Sequence, residues 1–144
     1  MNADCDDLGR FVDAQNSIYS RVTAELAAGR KQSHWMWFVF PQIEGLGSSA
    51  MAQRYAIRSR AEAEAYLAHP VLGPRLLACT RLMLAVEGKS LHDILGSPDD
   101  AKFRSCMTLF DSVSPGGIFA QALDRYCDGA RDAATTVFLQ RGTR

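Results

Sequence analysis

Apolar residues recur at steps of three and four from Leu8 onward, at Phe11, Ala14, Ile18, Val22 and Leu26, with Arg10, Asp13, Ser17, Arg21 and Glu25 between them. That spacing predicts one amphipathic helix from Leu8 to Gly29, polar on one face, capped by Asp6 or Asp7 and stopped by a left-handed glycine at Gly29. The next run, His34-Trp35-Met36-Trp37-Phe38-Val39-Phe40, has no polar face and is closed by Pro41, so it must be buried. Periodicity does not separate a short buried strand from a short buried helix. No other segment alternates well enough to pair with it, which favours a short helix capped by Ser33 over a strand with unsatisfied backbone.

Start and stop signals mark the rest of the chain. Ser48 or Ser49 can cap a helix through Met51, Tyr55 and Ile57, and Ser59-Arg60-Ala61-Glu62 matches a capping box for a helix ending at His69. From Val71 to Glu87, Leu72, Leu76, Cys79, Met83 and Val86 form one apolar stripe and Leu77 and Leu84 another, as expected of a central helix covered on two sides. A short helical turn spans Ser90 to Gly96. Ser97-Pro98-Asp99-Asp100 then joins an N-cap, a proline and two acids at the start of a helix that buries Phe103, Cys106, Met107, Phe110 and Val113. Pro115-Gly116-Gly117 breaks the chain before helices from Ile118 to Asp128 and from Arg131 to Leu139. The expected fold is all-α, a compact orthogonal bundle of about seven helices, several of them short. The 144 residues form one domain with an ordered core over about 7–139.

Composition narrows the function. Area scaling leaves about two thirds of the unfolded surface to be buried, so neither disulfide nor metal is needed for folding. Sixteen Lys and Arg balance sixteen Asp and Glu, which leaves no field to draw in nucleic acid or an anionic membrane. The first seven residues are acidic where a signal peptide is basic, and no apolar run reaches the roughly 20 residues of a membrane span, so a cytoplasmic protein is expected. Cys5, Cys79, Cys106 and Cys127 lack metal-ligand spacing and read as reduced thiols. No metal or cofactor is implied, and a monomer or homodimer is expected.

The densest candidate chemistry lies in Ser33 to Gln42. Its bland explanation is a folding nucleus. In the functional one, His34 at the edge of an aromatic-walled cavity moves a proton as the catalytic group, and Trp35 or Trp37 stacks a planar ligand. Gly45-Leu46-Gly47-Ser48-Ser49 allows close backbone approach of an anion at Ser48 and Ser49, near Gln42 and Arg54, although it lacks the lysine of a P-loop and the third glycine of a dinucleotide fold. Lys102 and Ser105 edge the later helix, where Asp99 and Asp100 are explained by the helix dipole. Two functions follow: a pocket that binds, or transforms, a planar anionic metabolite such as a nucleotide derivative, or a helical protein–protein interaction module in which the same aromatics only pack. Convergence of His34, Gln42, Lys102 and Ser105 on one cavity favours the pocket.

The stretch Ser33-His-Trp-Met-Trp-Phe-Val-Phe-Pro-Gln-Ile, with Gly45-Leu-Gly-x-Ser, Tyr55-Ala-Ile, Glu64-Ala-Tyr-Leu-x-His-Pro and Lys102-Phe-x-Ser-x-Met-Thr-Leu-Phe, resembles the bacterial domain of unknown function 1810 family over about Asp7 to Phe138. The resemblance implies a small all-helical domain and assigns no substrate or catalytic residue. Members sometimes carry a calpastatin-like label, but such inhibitors are long, disordered and rich in Pro, Ser and Lys. A chain with 47% hydrophobic residues and clear caps folds instead.

Overall fold

The computed structural model describes residues 7–142, which form ten helices and no strand. They are α1 Gly9–Asn16, α2 Tyr19–Ala27, α3 Met36–Val39, α4 Ala50–Arg54, α5 Arg60–Ala68, α6 Leu72–Ala85, α7 Leu91–Leu95, α8 Asp99–Val113, α9 Ile118–Cys127 and α10 Ala133–Gly142. Seven of the ten have eight or more residues. The expected all-helical class is therefore found, with more and shorter pieces than about seven.

The first predicted helix is two. At Ile18 the backbone leaves the helical region (φ −133°, ψ −5°), and its N–H bonds to the Gln15 carbonyl three residues back. Asn16 and Ser17, poor helix formers, sit at the break. Gln15 is buried there, donating from Nε2 to the Phe38 carbonyl (2.6 Å) and to Tyr66 Oη (3.1 Å). This pins α1 to α3 and α5, while α2 turns away to pack on α6. Neither Arg10 nor Glu25 belongs to a wet face. The Arg10 side chain is 7% exposed, and its guanidinium meets Glu62 and the carbonyls of Asp7, Arg54 and Ala56. Gly29, at φ +71°, ends α2 as expected, with the Arg30 N–H on the Glu25 carbonyl. Asp7 makes no cap bond, and Asp6 lies outside the described residues.

Local caps account for the middle of the chain. Ser49, Ser59 and Ser90 accept from the backbone N–H of Ala52, Glu62 and Asp93. Only Ser90 completes a capping box. Glu62 reaches instead to the Arg58 N–H and to Arg10. His69 turns its Nδ1 onto the N–H groups of Val71 and Leu72 and so caps α6. The helix through Ser49 stops at Arg54, because Ile57 leaves it to form a parallel bridge with Ile43.

The most enclosed helix is α8 rather than α6. Apart from half-buried Arg104, every residue from Phe103 to Asp111 is buried. It packs against α5, α7, α9 and α10, while α6 packs against α2, α5 and α9. Edge-on aromatic contacts run through the centre, Phe40 on Phe103 at 5.1 Å and Phe11 on Tyr66 at 5.1 Å, the geometry that ring quadrupoles favour. From α9, Arg125 and Tyr126 hydrogen-bond the Leu84, Val86 and Met83 carbonyls at the end of α6, where a cation is favoured.

Candidate functional site

Within residues 33–40 the helical part is α3, Met36–Val39, with Trp35 at its N-cap position and no side-chain cap. Ser33 is not that cap. Its Oγ and N–H, with the Gln32 N–H and the Trp35 indole N–H, all donate to the Glu25 carboxylate. Burial pushes this carboxyl up, but those four bonds outweigh it and bring its pKa from 4.5 down to about 2. Glu25 thus sets the path of the chain between α2 and α3.

Pro41 ends the helical turn, and the Ile43–Ile57 bridge fixes the loop that follows. Ile57 N–H donates to the Gln42 carbonyl (2.8 Å) and Glu44 N–H to the Ile57 carbonyl (3.0 Å). Ser48 and Ser49 are held at the head of α4, where Gln53 Nε2 binds the Ser48 carbonyl. Opposite them Lys102 and Ser105 lie three residues apart on the flank of α8. Asp132 precedes α10, its N–H donating to Thr108 Oγ1 and its carboxylate accepting from the Thr135 N–H and hydroxyl.

These segments enclose a cleft of about 450 Å³ lined by Gln42, Ser48, Ser49, Lys102, Ser105 and Asp132, with Leu46 as its apolar wall. Ser105 Oγ donates to the Ala101 carbonyl and keeps its lone pairs for a ligand donor. Lys102 Nζ lies 3.5 Å from Asp99 Oδ1 and 5.3 Å from the Trp37 ring centroid. Asp99 Oδ2 is 2.9 Å from Lys31 Nζ, which in turn lies 5.1 Å from the Trp35 ring. Asp99 therefore shares two lysines, each over a tryptophan, besides facing the positive end of the α8 dipole.

Five of the nine residues singled out from the sequence, Gln42, Ser48, Ser49, Lys102 and Ser105, meet in this cleft. Trp37 is half-buried beneath Lys102, although its run was expected to be enclosed on every side. Trp35 is 0% exposed and its indole N–H is taken by Glu25, so it offers no face to a ligand. His34 is exposed, outside the cleft, and makes no hydrogen bond among the described residues. Arg54 is also exposed and outside, its Nε 3.3 Å from Tyr55 Oη. The sequence reading missed Asp132, Lys31 and Glu25. Asp132 follows Gly129 and Ala130 in a turn with no aromatic neighbour, and its only signal is an acid ahead of a helix with threonine three residues on. Among the described residues no group of three or more His, Cys, Asp or Glu is placed to hold a metal, and no helix is long and apolar enough to cross a membrane.

The chain belongs to the family described as "Protein of unknown function (DUF1810)", whose model matches residues 5–139. It is similar to the conserved hypothetical protein Rv1873 from Mycobacterium tuberculosis, known from a crystal structure, with 51% identity over 93% of this chain and 96% of that one and a TM-score of 0.91. No curated protein matches it.

Proposed function

We propose that the protein binds a small anionic metabolite in the cleft between the 42–49 loop, α8 and the head of α10. The observation that carries this reading is the meeting of Gln42, Ser48, Ser49, Lys102 and Ser105 around one 450 Å³ space, an arrangement that packing of the core does not require. Lys102 supplies the charge for the anion, and the amide and hydroxyls fix its orientation. Asp132, opposite in sign, favours a ligand that also carries a hydroxyl or amino donor. Trp37 lies outside the cleft lining and backs Lys102 with its half-buried ring, so the reading rests on the anionic part of the ligand. His34 has no place in this reading. The rival, an interaction module without a ligand, has one exposed large hydrophobic behind it among the described residues, Val137, which is too little apolar surface to mark an interface.

Thermal-shift screening against nucleotides, sugar phosphates and amino-acid derivatives tests the proposal. A ligand at about 100 times its Kd adds roughly 2.7 kcal/mol and raises Tm by several degrees. The shift is expected to vanish in Lys102→Ala, with the urea midpoint of the free variant close to wild type because Asp99 keeps Lys31 as its closer partner. A ligand that shifts both proteins equally, or a loss above about 2 kcal/mol for free Lys102→Ala, would refute it.

A further inference from the structure

We infer that a second cleft, on the other flank of α8, is a carboxylate-binding site centred on Arg104. This cleft encloses about 360 Å³ and is lined by Ser90, His92, Asp100, Arg104, Tyr126 and Cys127. Ala101 lines both clefts and forms the ridge between them, so the Arg104 site is separate from the one at Lys102.

The condition of Arg104 carries the inference. Its Nε is buried and has no hydrogen-bond partner, and its guanidinium makes no ion pair among the described residues. A buried N–H without an acceptor is unfavourable, and the Arg104 guanidinium, which lines the cleft without a partner, is free to take an acceptor from outside the chain. The carboxylate that a helix would ordinarily offer, Asp100 at i−4, is otherwise engaged. Its Oδ1 accepts from the Ala101 N–H (2.8 Å) and Ser97 Oγ (3.2 Å), and its Oδ2 faces His92 Nδ1 at 3.4 Å. Arg104 is thus a cation with donors in a planar fork, held at a cleft by a helix whose other sides are packed against its neighbours. That fork matches the two oxygens of a carboxylate or phosphate.

The lining favours the carboxylate. Asp100 offsets the charge of Arg104 in the same cleft, so the extra charge of a phosphate, about −1.5 to −2, brings it no net attraction over a singly charged carboxylate. Leu91 beside it gives the stem of a small aliphatic acid an apolar surface.

The test is a titration of the 15N-labelled full chain with butyrate, and separately with inorganic phosphate, at fixed pH and ionic strength. Butyrate is expected to give saturable shifts at the Arg104 side-chain Nε–H and at the amides of Ala101, Arg104 and Cys127. Arg104→Gln should weaken butyrate about tenfold or more, Arg104→Lys should weaken it less, and Arg81→Gln, which removes an exposed arginine elsewhere, should leave it unchanged. Non-saturable shifts, shifts that persist in Arg104→Gln, or tighter binding of phosphate than of butyrate would each overturn the inference.

Discussion

Replacing Glu25 by Ala removes the acceptor of four donors at once, the N–H groups of Gln32 and Ser33, the Ser33 hydroxyl and the Trp35 indole N–H. Glu25 and Ser33 line an open cleft, so water can reach some of the freed groups, but the Trp35 side chain is fully enclosed and its N–H is left stranded. One stranded donor at about 1–3 kcal/mol, with the lost charge-assisted bonds to the loop, gives an expected loss of about 2–4 kcal/mol. Glu25→Gln keeps one oxygen toward the three N–H donors and turns an amide toward a hydroxyl that can accept, so only charge assistance is lost, about 1–2 kcal/mol. The folded pKa lies below the ordinary 4.5, so this stabilisation is fully present above that pH and disappears as pH falls toward about 2. The drop corresponds to at most about 3 kcal/mol, less what solvent in the cleft screens. Urea unfolding of wild type and both variants between pH 7 and pH 2.5 measures it, since other carboxylates cancel in the difference. Wild type and Glu25→Gln should converge below about pH 4.5. Parallel curves, or a loss under about 1 kcal/mol for Glu25→Ala at pH 7, would refute the reasoning.

Trp35→Ala should cost about 3–5 kcal/mol and Trp37→Ala distinctly less, because the first ring is enclosed and the second half-open; urea midpoints rank them. Gly73→Ala should cost upwards of about 2 kcal/mol, since a Cβ there would stand 2.1 Å from the Leu67 carbonyl oxygen and force α5 off α6; an unchanged Tm would show that the two helices yield freely. Burial raises the pKa of Cys79, Cys106 and Cys127, but only Cys127 borders a cleft. Native alkylation followed by mass spectrometry should therefore label Cys127 slowly and leave Cys79 and Cys106 unmodified until the protein unfolds.

What could be read from the sequence divides by the range of the interaction that decides it. Ser49, Ser59, Ser90 and the left-handed Gly29 act within a few residues, so their pattern is sufficient and the corresponding helix ends lie where it puts them. The break at Ile18 escapes because the apolar period runs on through it, while the deciding bonds of Gln15 go to Phe38 and Tyr66, far along the chain. Ser33 looks like a cap for the residues after it and is held by a glutamate eight residues before it. At the cleft, Gln42, Lys102 and Ser105 stood out as polar residues set among aromatics with no packing reason to be there. His34 satisfied the same test, but a four-residue helix starting at Met36 leaves it on the outside, and no periodicity resolves the phase of so short a turn.

Asp99 holds two lysines where one would neutralise it, and the two are unequal. Lys31 is the closer, at 2.9 Å with a side chain 8% exposed, and Lys102 the looser, at 3.5 Å and 23% exposed. If Lys102 swings toward an anion in the cleft, Asp99 keeps its tighter counter-ion and is never left as a lone half-buried charge, the situation that makes breaking an enclosed pair cost several kcal/mol. The cleft lysine can therefore be lent to a ligand and returned at small cost, because the tighter Lys31 pair stays in place. Lys31→Ala withdraws that reserve: Lys102 becomes the sole partner of Asp99, so the same ligand would bind more weakly although Lys31 lies outside the cleft lining.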